Sequence, residues 1–128
     1  MRKRCVPAQK GPAATGAYSQ AVVAGNMVFI SGQICLAPDG SGPIRGRFED
    51  EARQTFENVK LTLEDAGTDI AHIVKVTVFL ADMNNFGKMN DIYKQYFTSD
   101  FPCRTTVQVA RLPLDVQLEV EAIALLPE

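Results

Sequence analysis

The segment 72–81 most constrains what this chain can fold into. β-Branched residues dominate it, namely Ile73, Val74, Val76, Thr77 and Val78. Such residues favour strands, and a strand with few polar side chains is typical of one that is covered on both faces. We therefore expect this segment to form a central strand of a sheet.

The flanking patterns predict further strands and two helices. Apolar runs bounded by turn residues predict four more strands, over 18–24, 27–34, 104–111 and 116–126. Gly25-Asn26 is a two-residue hairpin signal between the first two of them. Apolar residues at helical spacing predict helices over 49–66, ending at Gly67, and over 84–98. This order of elements predicts an α+β fold with both helices on one face of the sheet.

The chain is expected to be one domain over 1–128. It has 128 residues, of which 46% are hydrophobic and 22% charged, as is typical of a globular domain. No repeat or linker-like stretch divides it, and no apolar run reaches the roughly 20 residues that a membrane-spanning helix needs.

The last predicted strand indicates self-association. It places Leu118 and Val120 on one side, but the other side carries Ile123 and Leu125 beside Glu119. Because a single helix layer covers only one face of a sheet, the other face would expose an apolar patch. We therefore expect a homo-oligomer in which neighbouring subunits cover that face.

Charge and cysteine content exclude several classes of protein. There are 13 Lys and Arg against 15 Asp and Glu, so a nucleic acid partner is not expected. Cys5, Cys35 and Cys103 have no spacing that indicates a disulfide framework or a metal site. The start 1–4 is basic, but no apolar run follows it. A cytoplasmic protein is predicted, and an organellar address stays open.

Isolated polar residues stand where core residues would be expected. His72, the single histidine, is interpreted as a strand-end residue with a local hydrogen bond. Ser31 and Gly32 interrupt an apolar strand, and Asn90 flanks the apolar stripe of the second helix. Each could be a satisfied buried polar group. Glycine in a strand also permits the close approach of a ligand, so a pocket at Gly32 is the alternative.

Arg104 and Glu119 raise a geometric question. If 112–115 closes a tight hairpin, Arg104 lies on the same side of the ladder as Glu119 and nearer to Glu121. The structural interpretation is then an ion pair between Arg104 and Glu121. The functional interpretation is that Arg104 stays free to bind a ligand carboxylate through two parallel hydrogen bonds.

At these residues the chain resembles a known family, the RidA (YjgF) family of imine and enamine deaminases. The resemblance covers nearly the whole length. It is carried in order by eight stretches, namely 12–14, 16–21, 30–34 (Ile-Ser-Gly-Gln-Ile), 74–80, 90–93, 101–104 (Phe-Pro-Cys-Arg), 109–113 and 119–124 (Glu-Val-Glu-Ala-Ile-Ala).

The resemblance implies a fold, an assembly and a reaction. The fold would be a single-domain, chorismate-mutase-like α+β fold, with a mixed sheet and two helices packed on one face. Three chains would form a homotrimer with the sheets facing inward and active sites in clefts between subunits. The reaction would be hydrolysis of a 2-imino acid, or its enamine tautomer, to a 2-oxo acid and ammonia, without a cofactor or a metal.

The resemblance also implies roles for individual residues. Arg104 would bind the substrate carboxylate, and Glu119 would hold and polarise the attacking water. The substrate-binding residues would be Tyr18, Ser31, Gly32, Asn90 and Thr106, the last through its backbone N–H. Many family members carry cysteine where Thr106 stands, so this position is interpreted as contributing its main chain.

Two alternatives from other classes remain. One is a ribonuclease that inhibits translation, an activity also attached to this family; the acidic balance and the lone histidine argue against it. The other is a chaperone-like interaction module, for which an oligomer with apolar rims would suffice. An assay of ammonia release beside RNA cleavage separates the three.

Overall fold

The protein is described by a computed structural model that covers residues 2–128. It contains six strands and two α-helices, joined in places by short 3₁₀ turns. In chain order they are β1 (Lys3–Val6), β2 (Ala21–Ala24), β3 (Met27–Gln33), α1 (Phe48–Asp65), β4 (Ile73–Leu80), α2 (Phe86–Tyr96), β5 (Cys103–Gln108) and β6 (Leu118–Leu125). The predicted α+β class is confirmed.

The strands form one mixed sheet in the order β1-β2-β3-β6-β4-β5. All neighbouring pairs are antiparallel except β4 and β5, which α2 connects as a crossover. The expected hairpin between β2 and β3 is present: Ala24 pairs with Met27, and Gly25 takes the positive φ of 61° that such a turn needs. The β-branched strand β4 lies inside the sheet, as predicted.

The core lies between the sheet and the two helices. α1 buries an apolar stripe that includes Ala52, Phe56, Val59 and Leu63. It ends where Gly67, at φ 90°, donates its N–H to Glu64 O. α2 adds Met89, Ile92 and Tyr93, and the inward residues of β6 are Leu118, Val120, Ala122 and Ala124, each at most 4% exposed. The helices predicted over 49–66 and 84–98 therefore agree closely with α1 and α2.

Residues 2–128 form no layer that covers the opposite face of the sheet. Phe29 on β3, Val107 on β5 and Leu125 on β6 are 40%, 38% and 37% exposed, and Phe79 and Ile123 are half-buried between them. We call this surface the open face. It is the apolar face that the pattern of the last strand predicted.

The predicted hairpin between the last two strands is wrong. β5 and β6 do not pair, because β4 lies between them, parallel to β5 and antiparallel to β6. The intervening residues instead make a 3₁₀ turn over Pro113–Asp115, and Leu112 and Val116 pack with Cys35 in a small second core. The β-branched strand β4 takes a partner on each edge, which leaves no room for a direct pair.

Other sequence predictions differ in detail. β1 was not predicted; its Lys3 to Val6 extend the sheet beyond β2. β2 starts only at Ala21, because residues 12–20 form a loop whose Pro12 O accepts a hydrogen bond from the buried Gln20 Nε2 at 2.6 Å. The local hydrogen bond of His72 is confirmed, with Nδ1 2.7 Å from Asp69 Oδ1.

No helix within residues 2–128 is long and apolar enough to cross a membrane.

The segment after β3 is held to α1 by one buried amide. Asn58 is fully buried, and its Nδ2 donates to Ile34 O at 2.9 Å and to Leu36 O at 2.7 Å. Its Oδ1 accepts a hydrogen bond from Gln54 Nε2 at 2.9 Å. Asn58 thus satisfies two carbonyls in a segment that makes no ladder with the sheet.

We expect Asn58→Ala to lower the free energy of unfolding by about 2–4 kcal/mol, because it leaves two carbonyls without their donor in a buried site. The matched control is Gln54→Ala, which removes one half-buried hydrogen bond and should cost less than about 1 kcal/mol. Urea unfolding at one fixed chain concentration measures both. Equal losses in the two variants would contradict this role of Asn58.

Candidate functional site

The first candidate cleft lies where β3 loses its regular pairing with β6. The ladder shifts between Ile30 and Gln33, which leaves Ser31 and Gly32 out of register. Ser31 Oγ donates to Ser19 O at 2.6 Å, and Gln33 Nε2 donates to Gln20 Oε1 at 3.1 Å. These bonds fix the irregular strand and leave a cleft of about 580 Å³ beside it.

Glu119 lies directly against Gly32 in this cleft. A Cβ atom at position 32 would overlap the Glu119 carboxylate, so only glycine leaves room for the acid. The pocket interpretation of Gly32 is supported, although the close neighbour is a side chain of the same protein. Burial raises the pKa of Glu119 above its ordinary value, and repulsion from Glu121 adds to the shift.

The rest of this first cleft is mixed in character. Tyr18 and Thr15 form its polar rim, where Thr15 N–H donates to the Tyr18 hydroxyl at 3.3 Å. An apolar wall faces them, formed by Ile34, Leu36, Pro113 and Leu114. Four predicted site residues therefore meet here, namely Tyr18, Ser31, Gly32 and Glu119.

A second cleft, of about 360 Å³, surrounds Arg104. Arg104 lies on β5, at the edge of the sheet, and its side chain reaches α2. Its Nη1 donates to Asn90 Oδ1 at 2.7 Å, and its guanidinium carbon lies 4.6 Å from the centre of the Tyr93 ring. Three further residues complete the lining, namely Lys94, Phe101 and Pro102. Arg104 and Asn90, two further predicted site residues, thus contact each other.

The ion pair between Arg104 and Glu121 is not formed. Arg104 pairs in register with Val76, whose side chain is buried under the helices, whereas Glu121 pairs with Thr77 on the open face. The two side chains are therefore on opposite faces of the sheet. No ion pair among residues 2–128 involves Arg104. The guanidinium of Arg104 therefore has N–H groups that remain available to a ligand.

Arg104 and Glu119 also lie on opposite faces of the sheet, because side chains alternate between the two faces along each strand. Glu119 pairs with Phe79 on the open face, and Arg104 faces the helices. Within one chain the two residues predicted to be catalytic therefore do not share a cleft. The structure brings the predicted site together as two half-sites, one around Glu119 and one around Arg104.

Thr106 belongs to the Arg104 half-site by its position. It lies two residues along β5 and so on the same face as Arg104. Val109 N–H points toward β4, where it donates to Leu80 O. Successive N–H groups of a strand point to opposite edges, so the N–H of Thr106, three residues earlier, points away from β4 to the free edge of the sheet. Its hydroxyl and that of Tyr93 are buried without a hydrogen-bond partner inside residues 2–128.

Sequence reasoning missed two contributors to these clefts. Tyr93 lies in the helix predicted over 84–98 and was not singled out, but its ring contacts Arg104. Leu114 was assigned to a turn, but its side chain lines the cleft of Glu119. A leucine in a predicted turn was the available signal, since turns favour polar residues and glycine.

A buried acid anchors the segment that leads into β6. Glu51 on α1 is 4% exposed; its Oε1 accepts from Gln117 N at 3.1 Å, and its Oε2 accepts from Gln117 Nε2 at 2.8 Å. Cys35 Sγ lies 3.6 Å from Oε1, and burial, with the charge of Glu51, raises the pKa of this thiol to about 11. Glu51 therefore fixes the chain two residues before Glu119, and Cys35 stays a neutral thiol.

Comparison with known proteins gives consistent matches over nearly the whole chain. Residues 8–126 match the family model described as endoribonuclease L-PSP. The human 2-iminobutanoate/2-iminopropanoate deaminase is 44% identical over 123 residues, which covers 96% of this chain and 90% of the human protein.

Solved structures agree. The crystal structure of E. coli TdcF with bound serine superposes with a TM-score of 0.91 at 45% identity, and covers 97% of this chain and 99% of that one. The structure of the YjgF gene product from E. coli superposes with a TM-score of 0.90 at 43% identity, over 95% and 98% of the two chains. The chain therefore belongs to the endoribonuclease L-PSP family, which confirms the RidA (YjgF) relationship that its sequence motifs predicted.

Proposed function

We propose that this protein is a deaminase that hydrolyses 2-imino acids and their enamine tautomers to 2-oxo acids and ammonia. The observation that carries the proposal is the pair of half-sites. One holds an arginine with free donors, and the other holds a carboxylate of raised pKa beside a cleft. The human relative named as a 2-iminobutanoate/2-iminopropanoate deaminase and the serine bound in TdcF support a small amino-acid-like ligand.

The two half-sites lead to an assembly. We infer a chorismate-mutase-like homotrimer in which the open faces of the sheets point inward, and in which each active site is made by two neighbours. The exposed Phe29, Val107 and Leu125 on the open face support burial against other subunits. One subunit would supply Arg104, Asn90 and the Thr106 N–H, and its neighbour would supply Glu119, Tyr18, Ser31 and Gly32.

The chemistry follows from these groups. The guanidinium of Arg104 and the edge N–H of Thr106 bind the substrate carboxylate, which orients the imine carbon. Glu119 accepts a proton from a water as the water oxygen attacks that carbon. The proton passes to the nitrogen, which gives a carbinolamine. The hydroxyl of the carbinolamine then loses its proton and the amine gains one, so the C–N bond breaks as the C=O bond forms, and the products are ammonia and a 2-oxo acid. A carboxylate of raised pKa is the better base for this step near neutral pH.

The ribonuclease alternative has less support. The single histidine, His72, contacts Asp69 and lines neither of the two clefts. The Glu119 cleft contains one charged residue, and it is an acid. Neither feature suits the binding of a phosphate backbone.

The first test is a coupled assay. A threonine dehydratase generates 2-iminobutanoate, and ammonia and 2-oxobutanoate release are measured with and without this protein, beside RNA cleavage. We expect faster imine hydrolysis and no RNA cleavage. Arg104→Lys should lower kcat/KM by roughly 10- to 100-fold with little change in melting temperature, because it keeps the charge but loses the two-pronged geometry. RNA cleavage without imine hydrolysis would overturn the proposal. An Arg104→Lys protein that is destabilised but fully active would contradict the role of Arg104 in binding the substrate.

The second test asks whether sites are shared between subunits. Arg104→Ala and Glu119→Ala chains are co-expressed with two different tags, and only assemblies that carry both tags are kept. In a ring of three, two chains of one kind and one of the other leave a single neighbouring pair with both residues intact. Mixed trimers should therefore recover about one third of wild-type activity, although each parent is inactive.

Trimers of each single variant, purified in the same way through two tags, are the control. If mixed assemblies are as inactive as the parents, the two half-sites do not combine across subunits. A wild-type protein that is a monomer by light scattering, yet active, would contradict the shared site directly.

A third prediction concerns Glu119 and pH. Because its pKa is raised in the folded protein, ionised Glu119 opposes folding; this cost is absent below the unfolded pKa and grows as pH rises through the folded one. Glu119→Gln should therefore raise the melting temperature at about pH 8, with a gain that shrinks toward about pH 4. The same variant should lose activity by roughly 100- to 10,000-fold.

The control for this prediction is Asp91→Asn, which changes the net charge equally at an exposed position on α2. It should leave activity and the pH dependence of melting unchanged. Wild-type activity should fall as the pH drops through the raised pKa of Glu119. A melting gain for Glu119→Gln that is the same at both pH values would count against a desolvated carboxylate.

A further inference from the structure

The turn between β5 and β6 presents an exposed leucine at the cleft of Glu119. Leu114 is 56% exposed, and its side chain lines the cleft with Pro113. Its backbone has φ 56° and ψ 17°, in the left-handed region that a leucine seldom adopts. Asp115, the next residue, also has a positive φ of 55°. Two consecutive residues therefore take an unfavourable conformation at one edge of the cleft.

Surrounding contacts hold this turn in place. Arg45 Nη2 donates to Leu114 O at 2.6 Å, across 69 residues of sequence. Arg111 donates from Nε and Nη2 to the two carboxylate oxygens of Asp115, at 2.7 and 3.0 Å. Asp115 N–H donates to Leu112 O at 3.1 Å. These bonds compensate the unfavourable backbone and keep the leucine side chain at the cleft.

The wall that Leu114 completes is apolar. Ile34, Leu36 and Pro113 form the rest of it, and the Glu119 carboxylate lies in the same cleft against Gly32. The polar groups account for the reacting end of a substrate, so the apolar wall is left for its side chain.

We propose that Leu114 is a specificity-determining residue, which closes an apolar subsite for the substrate side chain and favours branched aliphatic 2-imino acids over 2-iminopropanoate. The inference rests on the proposed deaminase function. Each methylene that a hydrophobic pocket accommodates changes kcat/KM by about 10-fold or more, so the contact with Leu114 has a measurable effect.

The test compares two imines that differ only in their side chain. An amino-acid oxidase generates them from leucine and from alanine, and kcat/KM is measured for each with wild-type protein, Leu114→Asn and Leu114→Gly. Asparagine and glycine both accept a positive φ, so both variants should melt no lower than wild type. For both variants, we expect the kcat/KM of the leucine-derived imine, divided by that of the alanine-derived imine, to fall about 10-fold relative to wild type. The kcat/KM of the alanine-derived imine should stay within about threefold of wild type.

The matched control is Met83→Asn. Met83 is also an exposed apolar residue in a 3₁₀ turn, but it lines neither cleft. Its substitution should leave the ratio unchanged. A ratio that is unaltered in both Leu114 variants, or altered equally in Met83→Asn, would overturn the proposal.

A binding measurement separates this inference from the deaminase function. Calorimetry compares 4-methyl-2-oxopentanoate with pyruvate, which have the two side chains but do not react. We expect wild type to bind the branched acid about 10-fold more tightly, and both Leu114 variants to lose that preference. If the preference is lost as expected but no imine is hydrolysed, the subsite stands and the deaminase proposal fails. If imines are hydrolysed but no preference depends on Leu114, the subsite fails alone.

Discussion

The position of β4 between β5 and β6 is the constraint on which the rest of this structure depends. Because β5 runs parallel to β4, a crossover must connect them, and α2 is that crossover. α2 therefore lies over β5 and brings Asn90 and Tyr93 to Arg104. β6 pairs on the other edge of β4 and turns Glu119 to the open face. One choice of strand order thus places the arginine and the acid on opposite faces of the sheet, and it is the reason why the proposed function joins two subunits at one site.

A second constraint is local, at the irregular end of β3. The register shift after Ile30 leaves Gly32 facing β6 without a side chain, and the Glu119 carboxylate fills that space. The same shift exposes Ser31 to the cleft and lets Gln33 bond with Gln20. A regular ladder here would stabilise the sheet but would leave no room for the acid. The defect in the strand is therefore what makes the cleft.

The sequence predicted the local elements well and the long-range pairing poorly. Helical periodicity placed α1 within about a residue at each end, and Gly25-Asn26 fixed the first hairpin. Those signals are carried by residues that are neighbours in sequence. The strand partners of β5 and β6 are not determined by neighbouring residues, because the turn at 112–115 is compatible with a hairpin or with a crossing over the end of β4. That single error placed Arg104 on the face of Glu121.

The site residues show the same division. Ser31 and Gly32 could be identified because they interrupt an apolar strand. Arg104 and Glu119 could be identified from the motifs 101–104 and 119–124, which resemble those of the family. Their separation into two half-sites could not, because it depends on which face each strand presents. Leu114 carried no motif at all. Its contribution comes from a backbone conformation that its own side chain does not favour, and that distant Arg45 stabilises.

Two glutamates near the start of β6 illustrate how the fold divides stability from chemistry. Glu51 is more deeply buried than Glu119, but its two oxygens accept hydrogen bonds from the backbone and side chain of Gln117, so its burial is compensated. Glu119 is half-buried, lies near the like charge of Glu121, and has a raised pKa. Glu51, which accepts these hydrogen bonds, fixes the start of the strand, and the poorly solvated Glu119 faces the cleft. A base needs affinity for a proton, and hydrogen bonds like those of Glu51 would lower that affinity. The poor solvation of Glu119 is therefore the property on which its proposed role in activating a water rests.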